Sequence, residues 1–328
     1  MRSYWMQVSD HDAVLELRET AQPEPGPGQI LLRLHAAALN RGEFIQGHGL
    51  HSKPGARQIG LEGAGEVAAL GAGVSGLKLG ARIMGRCPGA FSEYALMDAR
   101  EAIPIPDSVA WEEAAAIPLV YQVAYDLLVL QGHLAANEWV LINGVSSGVG
   151  VASLQMAKAL GARVAGTSGS AGKLARLREF GLDAAACTRH ADFHDAVMKA
   201  TDGAGVNVVV NNVGGSVFAE DLRCMAFEGR LGMVGYVDGQ LKAEIDIEAL
   251  HAKRLTLFGV SNKMRSPQHR AKPVPDFIRD MLPAFAAGRI KPIVDRVFAF
   301  EQLSEAREHM QADRHLGKIV LAMPAARA

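Results

Sequence analysis

Apolar residues follow two rhythms along the chain, and the change falls near residue 117. Before it, Ile30–His35 alternates apolar with polar residues, and Gly63–Leu70 and Ala81–Met84 are short runs set apart by Gly and Pro turns. Alternation of this kind predicts strands with one buried face. The stretch PEPGPG at 23–28 reads as a turn-rich start to a strand and not as a linker. After residue 117 the pattern becomes strand, glycine cluster, helix. Ile117–Leu130 predicts a helix. Trp139–Ile142 is short, apolar and partly β-branched, which fits a buried parallel strand. From Val149 to Leu160 the apolar positions Val149, Ala152, Leu154, Met156, Ala157 and Leu160 take helical spacing, and Gly161 stands where a C-terminal cap belongs. Arg163–Gly166, Val206–Asn211, Arg230–Tyr236 and Leu255–Val260 predict further strands. Past about residue 265 come a Pro/Lys/Arg loop, a helix near Asp276–Ala287, a strand at Val294–Phe298, a helix near Leu303–Gln311 and a strand at Gly317–Met323. Strands alternating with helices imply a doubly wound parallel sheet.

Composition narrows the classes. The 328 residues exceed what one core usually serves, so two domains are expected. A net charge of −1, without a basic block, gives no electrostatic footprint for nucleic acid as the main partner. Residues are 49% apolar, yet no unbroken apolar run reaches the roughly 18 that span a bilayer. The opening MRSYWMQVSDHDAV lacks the apolar core of a secretory signal. Cys87, Cys187 and Cys224 lie far apart and form neither a disulfide framework nor a zinc-type pair. A reducing cytoplasm is the expected compartment.

The chemistry starts at the turn between the first predicted parallel strand and its helix. Gly144, Ser146, Ser147, Gly148, Val149 and Gly150 place several backbone N–H groups at the positive end of a helix dipole, a site suited to phosphate. In a dinucleotide fold the next strand ends at the adenosine ribose, where an Asp or Glu selects NAD. This chain has Thr167, Ser168, Gly169 and Ser170, then Lys173 and Arg176. Hydroxyls and cations suit a 2′-phosphate, and no carboxylate repels it. The reading is NADP(H) over NAD(H), with solvated helix cations as the alternative role of Lys173 and Arg176. The glycine spacing also occurs in short-chain dehydrogenases. Against that class, the motif lies mid-chain, and none of Tyr4, Tyr94, Tyr121, Tyr125 or Tyr236 has a lysine four residues on. The five strand ends at Asn143–Gly144, Thr167–Ser168, Asn211–Gly214, Gly235–Tyr236 and Gly259–Ser261 are all rich in small or amide residues. Together they favour a cofactor crevice at the carboxyl ends of a sheet.

With these motifs in place, the chain resembles the medium-chain dehydrogenase/reductase superfamily, and within it the zinc-independent, quinone oxidoreductase-like (zeta-crystallin-like) branch. The resemblance runs through Ala37–Glu43, Ile59–Val67, Gly80–Met84, the glycine motif, Asn212–Gly215, Gly288–Asp295 and His315–Leu321. It implies a GroES-like, mostly-β catalytic domain at 1–116 and 266–328, a Rossmann doubly wound parallel sheet at 117–265, and an active site in the cleft. It also implies a homodimer through the cofactor-domain sheet edges.

Zinc-dependent relatives place a cysteine near Asn40 and a histidine just before Glu62; here those positions hold Asn40 and Leu61. The stretch Gly85–Glu93 matches the relatives' structural-zinc lobe with one cysteine instead of four. Tetrahedral catalytic zinc needs three protein ligands, so no metal is expected. The pairs His190/His194 and His48/His51 have spacings that fit one helix face but no neighbouring cysteine, and the first reads as a polar surface pair in preference to metal ligands.

Residue by residue, the resemblance implies that Asn40 hydrogen-bonds cofactor or substrate. Many relatives carry a tyrosine in the segment after it; here His48 is the nearest proton-capable side chain, with water as the other proton source. Glu62 is a second candidate, or a carboxylate paired with a cation inside the fold. Val120 and Val123 are expected near the nicotinamide. Ser147, Gly148 and Val149 are expected on the pyrophosphate, and Ser168 and Lys173 on the 2′-phosphate. Arg189 stands about where the family has a tyrosine beside the adenosine, as a stacking or phosphate group or a solvated side chain. Asn212, Gly235, Phe258 and Val260 would line the path from adenine to nicotinamide, and Lys318 would lie near the phosphates or at the surface. The expected activity is NADPH-dependent reduction of a quinone or an α,β-unsaturated carbonyl compound. The alternatives are a 2-enoyl-thioester reductase and a non-catalytic NADPH-binding protein.

Overall fold

The computed structural model describes residues 1–8, 13–44, 55–262 and 264–324. The chain divides into two compact units, Met1–Leu119 with Lys263–Ala328, and Val120–Asn262.

Val120–Asn262 is built on a six-stranded sheet. In spatial order its strands are Ala184–Cys187, Arg163–Ser168, Trp139–Asn143, Val206–Asn211, Met225–Met233 and Thr256–Gly259, which is 3-2-1-4-5-6 in chain order. Every pairing is parallel. All five residues of Trp139–Asn143 are buried, as a strand covered on both faces requires. The helix Gly148–Ala159 follows, buried from Gly150 to Ala157, and Gly161 takes φ 82° just past its end, the left-handed cap the sequence predicts.

Three features depart from expectation. The strand at Ala184–Cys187 is not visible in the run Ala-Ala-Ala-Cys, because alanine has little strand preference; its ladder to Ala165–Ser168 makes it a strand. The strand expected at Arg230–Tyr236 instead spans Met225–Met233. It starts early because Met225 already pairs with Val206, and it stops where its partner ends at Gly259. The helix expected over Ile117–Leu130 is α-helical at Pro118–Tyr125 and continues as a π-helical segment at Asp126–Gln131.

The other unit is mostly β. A seven-stranded sheet runs Val294–Ala299, Lys318–Ala322, Gln29–Ala38, Glu62–Leu70, Arg82–Arg86 and Ile103–Pro104, with Tyr94–Asp98 also paired to Gln29–Ala38. A smaller antiparallel sheet joins Ala13–Glu19, Arg2–Val8 and Gly55–Gln58. The core includes Leu32, Ile59, Phe91, Leu303 and Leu321. Lys318–Ala322 lies antiparallel to Gln29–Ala38, so residues far apart in sequence complete one sheet.

Candidate functional site

Because its six strands are parallel, Val120–Asn262 gathers their carboxyl ends along one edge. Strand order reverses at Trp139–Asn143, which neighbours both Arg163–Ser168 and Val206–Asn211. Such a reversal opens a crevice in doubly wound sheets. The chain leaves Asn143 through Gly144 at φ 68°, a left-handed turn, and enters the helix at Gly148. Ser147 caps that helix, its hydroxyl accepting from the Gly150 N–H at 3.0 Å. A side chain at Gly150 would lie 2.4 Å from the Gly144 carbonyl oxygen, so only glycine lets the helix sit this tightly on the turn. The first helical turn carries no acidic residue. Its leading N–H groups have no partner within the helix, and with the dipole they make an anion-binding end.

The neighbouring strand ends at Ser168, whose hydroxyl lies 3.1 Å from that of Ser146. Ser170 then caps the helix Ala171–Arg178 by accepting from the Lys173 N–H at 3.4 Å. Arg189 lies across Gly169: a Cβ there would stand 2.3 Å from the Arg189 Nε. The structure thus brings Ser146, Ser168 and Arg189 to one strand end, with Lys173 in the first turn of the helix that follows.

Beneath this edge lies a buried polar network. Asp221, on the helix Phe218–Cys224, is fully buried. Its Oδ1 accepts from the Asn143 Nδ2 and its Oδ2 from the Asn211 Nδ2 at 2.8 Å. Burial pushes the Asp221 carboxyl well above the usual carboxylate range, against the pull of both amide donors. The Asn143 Oδ1 accepts from the Thr167 hydroxyl at 3.0 Å, and that oxygen accepts from the Gly144 N–H at 3.3 Å. The Asn211 Oδ1 accepts from Val213 N–H and Gly214 N–H at 2.9 and 2.8 Å. Asn212 donates from Nδ2 to the Asn143 carbonyl at 2.9 Å, across the reversal point. Sequence reading missed Asp221, which sits in no glycine motif and at no strand end.

The other expected crevice residues have these places. Asn212, Gly235 and Val260 follow the last residues of their strands, and Phe258 is the third residue of Thr256–Gly259. The Phe258 ring packs on Gly232, where a Cβ would meet it at 2.9 Å. Val120 is buried and Val123 half-buried, both on the helix Pro118–Tyr125.

In the other unit the structure revises two readings. Lys318 is buried, and its ammonium donates to the Leu39 carbonyl at 2.7 Å, the Asn40 Oδ1 at 2.7 Å and the Glu62 Oε1 at 2.8 Å. An ammonium has three hydrogens, and all three are used here, so Lys318 is an internal cation and not a phosphate ligand. Asn40 donates from Nδ2 to the Glu43 Oε1 at 2.8 Å and the Glu62 Oε1 at 2.9 Å. With both N–H groups committed, its carboxamide offers another molecule only an acceptor. Glu62 takes its second reading, a carboxylate paired inside the fold; its Oε2 accepts from the Leu119 N–H at 2.7 Å. Glu43 is fully buried, and burial raises its carboxyl to about 8. His48 and His51 lie outside the described residues. His190 precedes the helix that His194 begins, so the two do not share a helix face, and His194 contacts Asp195 through Nδ1 at 2.9 Å.

Comparison with known proteins supplies the family. Residues 26–107 match the alcohol dehydrogenase GroES-like domain, and residues 148–278 match a domain described as zinc-binding dehydrogenase. The human synaptic vesicle membrane protein VAT-1 homolog is 30% identical, over 94% of this chain and 82% of its own length. A highly reducing polyketide synthase, lcsB of Purpureocillium lilacinum, is 32% identical over 93% of this chain, which spans only 12% of that protein. A mycobacterial protein solved in complex with NADPH superimposes with a TM-score of 0.86 at 25% identity, covering 98% of this chain and 99% of the other.

The donor set of Asn40, Glu43 and Glu62 does not fit the zinc of the second domain's description. An ammonium already sits within 2.8 Å of the Asn40 and Glu62 oxygens, and the amide is a poor zinc ligand. Among the described residues, no group of three or more His, Cys, Asp or Glu is placed to hold a metal ion. The likeness to the VAT-1 homolog over 94% of this chain, a superposition on a mycobacterial quinone oxidoreductase with a TM-score of 0.85 at 25% identity, the two matching domains and the 3-2-1-4-5-6 sheet agree: the chain belongs to the medium-chain dehydrogenase/reductase superfamily, in its quinone oxidoreductase-like branch.

Proposed function

We propose that this chain is an NADPH-dependent, zinc-independent reductase of quinones or α,β-unsaturated carbonyl compounds. One observation carries the coenzyme choice. The strand end that meets the ribose in dinucleotide folds has Ser168 and an arginine laid over Gly169, and no carboxylate. In this reading the N–H groups of Gly148 and Val149 receive the diphosphate beside Ser147, whose own N–H is held by the Gly144 carbonyl at 3.0 Å, while Ser168, Lys173 and Arg189 receive the 2′-phosphate. Gly144 and Ser146 shape the turn. Val120, Val123, Asn212, Gly235, Phe258 and Val260 bound the rest of the coenzyme. When bound, NADPH supplies the hydride. A conjugated acceptor spreads the arriving charge into an enolate, which one or two hydrogen bonds stabilise without a metal. Asn40 takes part as an acceptor, toward an N–H or O–H of its ligand. His48 or water returns the proton, and unchanged turnover in His48→Asn would assign it to water.

Fluorescence titration tests the coenzyme directly: NADPH binds more tightly than NADH, and Lys173→Glu removes the preference. Tighter NADH binding by the unmodified protein refutes the assignment. Consumption of NADPH across a panel of quinones and enones then tests the acceptor. Kinship with a segment of a reducing polyketide synthase favours a second reading, 2-enoyl-thioester reduction, so acyl thioesters belong in the same panel. Coenzyme binding without turnover would instead indicate a binding protein.

Assembly is part of the proposal. Thr256–Gly259 is an edge strand, and Val237, Leu241 and Ile247 of the same unit are exposed. A homodimer covering that edge would show as twice the chain mass in light scattering.

A further inference from the structure

We infer that Asp221 is a positioning residue, the single group that sets the shape of the turns meant for the coenzyme. The inference rests on the coenzyme reading above. A carboxamide has a donor end and an acceptor end, and either can face inward. Both oxygens of the Asp221 carboxyl accept, and the NH2 groups of Asn143 and Asn211 face it. Their oxygens are thereby turned toward the strand ends. The Asn143 oxygen holds the Thr167 hydroxyl, which holds the Gly144 N–H. The Asn211 oxygen holds the N–H groups of Val213 and Gly214. One side chain thus governs the turns at residues 144, 167 and 213–214.

Gly214 needs such an anchor. Its φ is 129°, which L side chains rarely adopt, and a Cβ there would meet the Asp238 carboxylate at 2.1 Å. Packing alone does not account for Asp221. Burying a carboxylate is costly, and an apolar side chain would fill the same volume more favourably. What an apolar residue cannot supply is two acceptors with fixed direction.

The test is Asp221→Asn, which replaces one acceptor by a donor and obliges one of the two asparagines to turn round or lose its bond. We expect NADPH and NADH to weaken together, by about tenfold, as befits the loss of one or two buried hydrogen bonds. Their affinity ratio and the KM for the acceptor should stay as in the unmodified protein. The amides of Val213 and Gly214 should exchange with solvent faster. A purely structural role would not combine a preserved ratio with exchange confined to these turns. Unchanged coenzyme affinity overturns the inference, and so does weakened affinity with unaltered exchange at Val213 and Gly214. If Asp221→Asn does not fold, Thr167→Val decides, because it cuts only the Gly144 branch. Weaker binding of both dinucleotides then supports the inference, and unchanged binding overturns it. An unmodified protein that binds neither dinucleotide sinks the coenzyme reading itself, a result distinct from failure in the variants alone.

Discussion

In Met1–Leu119 with Lys263–Ala328, an asparagine, one carboxylate and a backbone carbonyl close around an ammonium. In Val120–Asn262, two asparagines close around one carboxylate. The residue types are nearly the same, but in the first cluster the asparagine amide is spent on side chains, its oxygen on Lys318 and its NH2 on Glu43 and Glu62. The second passes orientation outward, through amide oxygens, to backbone N–H groups at the edge of a sheet. The difference teaches that an asparagine inside a polar cluster has no fixed meaning. Its role follows from where the free end of the amide is sent.

The largest test of this contrast breaks the first cluster. Glu62→Gln or Lys318→Met alone should cost about 3–5 kcal/mol, since each leaves a buried charge without its partner. Removing both should restore much of the loss, and urea unfolding of all three variants measures it.

A smaller effect follows from Glu43. Its carboxyl titrates at about 8 in the folded protein, against about 4.3 when unfolded. Between those values the folded state holds a proton that the unfolded state has released. Stability from this group is therefore full below the unfolded value, declines as pH rises, and is gone above about 8. The total is on the order of a few kcal/mol. Glu43→Gln should flatten stability measured across that window.

In the other unit, Arg189→Ala should weaken NADPH by about tenfold while sparing NADH, the size of one charge-assisted contact. Smallest is Ser147→Ala, which removes the cap of Gly148–Ala159 at roughly 1 kcal/mol. It should loosen both dinucleotides slightly, through the turn they would share.

The doubly wound sheet was legible because its strands and its central helix announce themselves locally. Val206–Asn211 is rich in β-branched valine, and Gly144, Gly150 and Gly161 mark backbone needs that no other residue meets. Ala184–Cys187 was not legible, since only its neighbour makes it a strand. In the candidate site, position in a motif led to Ser147 and Ser168. The family resemblance put Lys318 near the phosphates or at the surface; its partners Leu39, Asn40 and Glu62, hundreds of residues away in sequence, bury it. Asp221 gave no signal at all. A lone aspartate on an amphipathic helix reads as solvated, and only the asparagines above it give it a task.

The seating of Lys318 also bears on biosynthesis. The cage at Asn40 cannot close until residue 318 has left the ribosome, whereas every strand of Val120–Asn262 is available once residue 262 has emerged. During translation the inserted unit would mature first, and the segment before it would wait, its edge beside Gln29–Ala38 open, for the partner that arrives last. Pulse-chase proteolysis of stalled nascent chains would register that order as early protection of the middle of the polypeptide and late protection of its beginning.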